Sequence, residues 1–375
     1  MSVFLSGLGT VTPPHSIAQT RAAEVVSHLI PGTNRQRQFL TEVYRNVGVE
    51  TRHSVILSQA SEFSGEQTFY VPGADATGRG PSTGDRMRLY EAHSGPLAVE
   101  AAQKALDDAG LNPREVTHLV TISCSGFSAP GFDIALINLL PLSRSVVRVH
   151  VGFMGCHGVL NGLSVARAFI EANPNACVLV TAVELCTLHH QYGWDRDQLV
   201  ANALFADGAA AVVCRGESSD AATLRRAATL RGGAGLRVAA QGSIVVSGSE
   251  DLMSWRIGDH GFHMTLSGRV PDCIQQNLLP WLTQWLAAAG CDLSEVGGWA
   301  VHPGGPRILQ ACESTLNLSE DKLSHSREIL RQFGNMSSPT VLFILERLRN
   351  LRPPFPWLLL GFGPGLTIEA LLLDA

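Results

Sequence analysis

Apolar residues along this chain gather in short, near-continuous runs, and between the runs their spacing loosens to a helical period. "THLVTIS" (Thr117 to Ser123) reads as a strand, reached through the helical "GPLAVEAAQKALDDAG" with Gly110 at its stop. "RSVVRVHVGFMG" reads as another strand, followed by the helical "GVLNGLSVARAFIEAN". "ACVLVTAVE" and "GAAAVVCR" are two more. The opening "MSVFLSGLGTVTPPH" reads as a first strand rather than a signal peptide, because no basic stretch precedes its short apolar run. "RGPSTGDRMRLYEAH" reads as a polar loop leading into a helix. Strands this apolar, alternating with helices, predict a sheet covered on both faces, an α/β fold. No apolar run approaches about 18 residues, so no membrane span is expected.

The pattern repeats. "ALDDAGLNPREVTHLVTI" aligns without gaps to "WLAAAGCDLSEVGGWAVH". Leu106, Ala109, Gly110, Glu115 and Val116 fall on Leu286, Ala289, Gly290, Glu295 and Val296. Each copy reads as helix, acidic loop, strand. One step further, at nearly the same offset, Gly155-Cys156 falls on Gly334-Asn335. An apolar helical run follows each pair, so Cys156 and Asn335 are expected at equivalent helix starts in two related halves. The segment "SSDAATLRRAATLRGGAGLRVAAQG" between them reads as a linker or an amphipathic connection. The halves are placed at 1–220 and 221–375.

Composition narrows the function. A chain of 375 residues with 45% hydrophobic and 16% charged residues builds a large core. The net charge of -5 and the lack of a basic run argue against nucleic-acid binding. Lys104 and Lys322 are the only lysines, so a ligand phosphate is expected to meet Arg or backbone N–H groups. The 8 cysteines include no CxxC pair, which fits a reducing, cytoplasmic setting and neither a disulfide framework nor a metal site.

Four stretches stand out: "GFMGCHG", "WAVHPGGPRIL", "FGNMSSPT" and "LLLGFGPGLTIEALLL". A thiol becomes a strong nucleophile only when ionised. A helix start and a neighbouring imidazolium both favour the thiolate. Asparagine supplies a neutral donor for a developing oxyanion. Taken singly, each residue also has a structural reading. Cys156 fits as a small core residue, His302 as a cap of the turn after it, Asn335 as an N-cap and "GFGPG" as a hairpin bend. The repeat, which brings Cys156 and Asn335 to one place, favours chemistry.

These stretches, with "ALFADGAAAVVC", resemble the chalcone and stilbene synthase family, the type III polyketide synthases, from about Pro113 onward. The resemblance implies a thiolase-like, duplicated αβαβα five-layer architecture and a homodimer. It implies a catalytic triad of Cys156, His302 and Asn335. Cys156 would take an acyl starter from an acyl-CoA while His302 keeps the thiol ionised. His302 and Asn335 would hold the malonyl-CoA carbonyl as CO₂ leaves, and a decarboxylative Claisen condensation and ring closure would give a pyrone, resorcinol or phloroglucinol-type product. Coenzyme A thioesters enter as substrates, with no cofactor or metal implied. Phe205 matches an aromatic gate and Phe262 a second one. Gly304, Gly305, Arg307, Gly363 and Pro364 are carried over as substrate-binding positions.

The chain departs from the plant enzymes in places. Cys124, Cys186 and His189 stand where threonines line the cyclisation pocket, which argues against chalcone as the product. His157 follows the nucleophile where a small residue is usual. Arg35, Arg37, Arg45 and Arg52 are candidate coenzyme A contacts beside Arg307, each with a surface-charge reading. Two other functions share the signals. One is a single-condensation ketoacyl synthase III-like enzyme using an acyl carrier protein. The other is a non-catalytic binding homologue, against which the intact Cys-His-Asn set argues.

Overall fold

The structure is a computed structural model that describes residues 2–58, 67–74, 78–217 and 235–375. Its first part runs β1 (Val3–Val11), β2 (Ser16–Ala18), α1 (Gln19–Leu29), α2 (Asn34–Asn46), β3 (Thr51–His53), α3 (Thr83–Ala109), β4 (His118–Ser123), α4 (Phe132–Leu139), β5 (Val147–Gly152), α5 (Gly158–Ala172), β6 (Cys177–Leu185), α6 (Arg196–Leu204) and β7 (Asp207–Gly216). The second runs β8 (Leu236–Val245), β9 (Met253–Gly258), β10 (Gly261–Leu266), α7 (Val270–Ala288), β11 (Gly298–Val301), α8 (Pro306–Leu316), α9 (Ser324–Phe333), α10 (Thr340–Leu351), β12 (Trp357–Gly363) and β13 (Thr367–Asp374).

Nine of the described strands hydrogen-bond in the order β11-β12-β13-β8-β1-β7-β6-β4-β5. The first strand of each part meets the other at the middle, antiparallel, with Val3 opposite Val238. Outward from β1 come β7 and β6, each antiparallel to its neighbour, then β4, parallel. Outward from β8 come β13 and β12, again antiparallel, then β11, parallel. The repetition therefore extends to strand order and direction. Among the described residues, β5 alone has no counterpart.

The repeated sequence letters have a physical cause. After α3, Gly110 turns left-handed (φ 65°) and Leu111 N–H returns to the Leu106 carbonyl. After α7, Gly290 does the same (φ 73°), with Cys291 N–H to Leu286 O. An L side chain resists that backbone, so glycine recurs. A 3₁₀ turn follows each. Asn112 accepts from Arg114 N–H while the Glu115 carboxylate accepts from Asn112 N–H. Asp292 and Glu295 repeat this reciprocal cap with Ser294. Each such cap contributes about 1 kcal/mol and aims the strand that follows.

Alternation along the strands builds the layers. On β6, Val178, Val180 and Ala182 face the helices α5 and α10, whereas Leu179, Val183 and Leu185 face α3. On β12, Leu359 faces α5 and α10, while Leu358 and Leu360 face α7 and α8. The two halves of the nine-stranded sheet both pack on α5 and α10, so the order is helix, half-sheet, helix, half-sheet, helix. The central helices are buried on nearly all sides, which is why residues 340–345 of α10 show no polar face. No helix among the described residues is long and apolar enough to cross a membrane.

Several expected boundaries shift. The connection between the parts is partly strand, because "LRVAAQG" lies in β8, whose pairing with β1 and β13 overrides its small-residue composition. Residues 218–234, with the expected boundary near 220, lie outside the described residues. The polar loop before α3 is already helix from Thr83, started by a reciprocal cap between Ser82 and Asp85. Asn335 does not start a helix. It lies in an extended bridge to Phe205, and α10 begins at Thr340.

Candidate active site

Strand β5 delivers the chain to Cys156 through two left-handed residues, Phe153 (φ 57°) and Gly155 (φ 72°). Gly155 also needs to be bare, since a Cβ there would lie 2.6 Å from Pro364 Cδ. The bend between β12 and β13, carrying Gly363 and Pro364, thus closes over the 3₁₀ turn Gly155–His157 that leads into α5. Cys156 is 7% exposed.

Asn335 approaches from the other repeat. Ser337, itself left-handed (φ 55°), donates its N–H to Asn335 Oδ1 at 2.8 Å. That bond occupies the amide oxygen and leaves the Nδ2 end as a donor. Asn335 and Ser337 present polar side chains that favour the ionised form of the Cys156 thiol. Burial pushes this thiol up to about 12, these two side chains pull it back, and the Glu184 carboxylate pushes it further up.

His302 follows β11 and is 1% exposed. Its N–H donates to Leu360 O of β12 at 2.8 Å. Neither ring nitrogen has a hydrogen-bond partner among the described residues. Buried imidazoles are normally satisfied, and one that is not is available to a substrate. Burial lowers this imidazole to about 3. Burial alone therefore favours a neutral thiol and a neutral imidazole. The ionised thiol implied by the family requires its proton to pass to a neighbouring base rather than to solvent.

The remaining named positions divide. Cys186, His189, Phe205 and Phe262 line one apolar chamber. Cys124 borders it: its Sγ lies 3.5 Å from Ser337 Oγ and its carbonyl accepts from Trp255 Nε1 at 2.7 Å. Burial holds both thiols, Cys124 and Cys186, firmly protonated. His189 stacks on Phe262 with ring centroids 4.1 Å apart. It donates from Nε2 to Ser125 O and accepts at Nδ1 from Phe262 N–H, so it is neutral and fixed. Gly304 and Gly305 shape the turn into α8, with Gly304 N–H on His302 O. Arg307 is exposed in the first turn of α8, and Arg35, Arg37 and Arg45 are exposed on α2. Arg52 is not a surface contact. It is 7% exposed and donates to the carbonyls of Asn202 and Phe205 at 2.5 and 2.9 Å, bracing the Phe205 backbone.

Three features escape the one-dimensional reading. Trp255 lies between Phe205 and Phe262, at 6.4 and 5.8 Å. Glu184, buried on β6, accepts from Cys124 N–H, Ser125 N–H, Ser125 Oγ and Ser338 Oγ, which ties the Cys124 loop to the Asn335 segment. His157 heads a buried polar chain through Asn161 to Glu369. An isolated "VEL" or "IEA" in a strand signals none of this. The nearest signal is a charged residue inside an otherwise apolar run.

Comparison with known proteins fits this arrangement. The family "Chalcone and stilbene synthases, N-terminal domain" matches residues 2–218, and its C-terminal domain matches residues 235–375. The chain is 32% identical to "Alpha-pyrone synthesis polyketide synthase-like Pks18" of Mycobacterium tuberculosis, over 99% of this chain and 90% of that one. It is 33% identical to the 1,3,6,8-tetrahydroxynaphthalene synthase of Streptomyces peucetius, over 98% and 92%. The crystal structure of PKS-I from the brown alga Ectocarpus siliculosus superposes with a TM-score of 0.89 at 28% identity, covering 100% of this chain and 98% of that one. The ketoacyl synthase alternative does not fit these relatives. With its thiolase-like fold and both family domains in sequence, the chain belongs to the chalcone and stilbene synthases, the type III polyketide synthases.

Proposed function

We propose that this enzyme loads an acyl group from an acyl-CoA onto Cys156 and extends it with malonyl-CoA before cyclisation to a pyrone or a resorcinol or phloroglucinol-type product. The observation that carries the proposal is the Asn335 amide, whose oxygen is taken by Ser337 N–H, leaving its donor end to favour the Cys156 thiolate. In loading, the thiol proton passes to His302, the sulfur attacks the thioester carbon, and coenzyme A leaves with that proton. In extension, a His302 N–H and Asn335 Nδ2 hold the malonyl thioester oxygen. The C–C bond to the carboxylate breaks, CO₂ leaves, and the electron pair remains as an enolate. The enolate attacks the Cys156 thioester and expels the thiolate. Donors preorganised in a dry site supply this stabilisation most effectively.

The chamber indicates an aliphatic starter. Its lining includes the small and aliphatic Ala22, Val25, Val26 and Leu29 of α1 with Ala201 of α6. Arg307, at the start of α8, is the proposed phosphate contact for coenzyme A. The reading also includes a cytoplasmic homodimer formed through β5. Among the described residues that strand pairs only with β4, and Phe127, Leu139, Val147, Phe153 and Met154 are exposed.

The test supplies purified protein with a panel of acyl-CoA starters and radiolabelled malonyl-CoA, or malonyl carrier protein in its place. Labelled pyrones or resorcinols from malonyl-CoA are expected. Extension from the carrier protein alone, stopping after one round, would contradict the proposal.

A further inference from the structure

Strands β9 and β10 form a two-stranded ribbon apart from the nine-stranded sheet. A ribbon of that size holds its shape poorly alone, and its edges leave backbone groups unpaired. Side chains from the segment after β6 pair with β10 in place of a third strand. Phe262 N–H donates to His189 Nδ1 at 3.0 Å. Phe262 O accepts from Gln191 Nε2 at 3.2 Å, and the same amide reaches His260 O at 3.2 Å and His189 O at 3.0 Å. The backbone of Phe262 thus hangs on His189 and Gln191.

Phe205 is held from another direction. It follows α6, whose last turn leaves carbonyls without helical partners. Arg52 of β3 donates Nη1 to two carbonyls at that end, those of Asn202 and Phe205. The helix dipole also favours a cation there. Asn202 joins the two arrangements. Its Oδ1 accepts from Gln191 N–H at 3.0 Å, and its Nδ2 donates to Gln191 O at 2.8 Å. A backbone N–H only donates and a carbonyl only accepts, so the orientation of this amide is fixed. Hydrogen bonds therefore run without a break from Phe205 through Arg52, Asn202 and Gln191 to Phe262, and all five residues line the chamber.

Arg52 and Gln191 are each 7% exposed. Apolar side chains would fill the same space without taking a guanidinium and an amide out of water. Apolar packing would not, however, fix two separate backbones at one spacing.

We infer that Gln191 and Asn202, anchored by Arg52, are positioning residues: they set the separation of Phe205 and Phe262 across the chamber, and with it the width of acyl starter the enzyme accepts. The inference rests on the proposed reading that the starter chain occupies this chamber. A fixed separation favours a slim linear chain over an aryl group of equal carbon count. Gln191→Met keeps the length of the side chain and removes its amide. Asn202→Asp keeps the acceptor for Gln191 N–H and replaces the donor to Gln191 O with an oxygen.

The test measures kcat and KM of the full-length enzyme for octanoyl-CoA and phenylacetyl-CoA at saturating malonyl-CoA, with melting curves to establish folding. Each variant is expected to lower the octanoyl-to-phenylacetyl ratio of kcat/KM about tenfold, mainly through KM, a discrimination that pocket shape alone can supply. Where wild type turns over no phenylacetyl-CoA, the expected result is the appearance of that turnover in both variants. A protein that is merely less stable loses kcat for both starters by one factor, so its ratio stays at the wild-type value. Ala201→Phe, run with a long and a short linear starter, reports separately whether the starter lies in the chamber. If Ala201→Phe changes starter preference while the ratio in folded Gln191→Met and Asn202→Asp is unchanged or higher, the inference fails and the starter reading stands. If Ala201→Phe leaves preference unchanged, the starter reading fails and takes the inference with it. Should Gln191→Met not fold, Asn202→Asp alone decides by the same criterion.

Discussion

Asn335 and Phe205 are joined through their backbones across the two repeats. Asn335 N–H donates to Leu204 O and Ala206 N–H donates to Asn335 O, each at 2.9 Å. The amide that favours the Cys156 thiolate is thereby fixed to the residue that flanks the chamber. Asn335→Asp keeps the acceptor for Ser337 N–H but replaces the inward donor with an oxygen. Its rate of CO₂ release from malonyl-CoA should fall about 10²–10³-fold, the cost of one oxyanion donor. A rate within threefold of wild type in the folded variant would remove Asn335 from the chemistry.

Glu184 is a scaffold carboxylate. Burial raises its pKa, and hydrogen bonds led by Ser125 Oγ and Cys124 N–H oppose that rise. Glu184→Gln leaves part of this donor set without an acceptor. A loss of about 2 kcal/mol or more in folding stability is expected from urea unfolding. An unchanged midpoint would show that the Cys124 loop and the Asn335 segment hold together without it.

His189 links the chamber to pH. Burial lowers its pKa to about 3, against about 6.5 for a free histidine. A depressed pKa means that the unfolded chain binds the proton more readily. The stabilisation is present above about 6.5 and is lost as pH falls toward 3, at about 2 kcal/mol by pH 5. Asp207 works in the opposite sense: burial raises it to about 6, so its contribution is largest below about 3.8 and is lost as pH rises through 6. His189→Phe should flatten the fall in melting temperature between pH 6.5 and pH 4. A variant curve parallel to wild type would mean that His189 does not titrate on unfolding.

Ala201 faces the chamber from α6. Ala201→Phe narrows the chamber, whose lining does not include Cys156, His302 or Asn335. Turnover of a long-chain acyl-CoA should drop at least tenfold while a short-chain starter is used nearly as before. Equal losses for both starters would mean that the starter chain lies elsewhere.

The order of elements was legible because buried strands and helix stops leave strong local signatures. Gly110 and Gly290 mark the two repeats, and the left-handed caps found at both are the reason they do. Cys156 and Asn335 were legible as partners through that repeat, although the repeat misplaced Asn335 at a helix start. Its extended bridge depends on Phe205, a residue distant in the chain. Arg52 looked like a surface charge because sequence spacing does not show that two carbonyls, from Asn202 and Phe205, converge on it. Trp255, Glu184 and the His157 chain were illegible for the same reason. Their partners come from strands that only the sheet brings together.

The most direct test of the account is where an acyl group lands. The enzyme is incubated with an acyl-CoA alone, digested at low pH, and its peptides are weighed. The account predicts a single acyl adduct on Cys156, absent from Cys156→Ala, and discharged as product when malonyl-CoA is added to wild type. An adduct on Cys124 or Cys186 in its place, or product formation by Cys156→Ala, would contradict it.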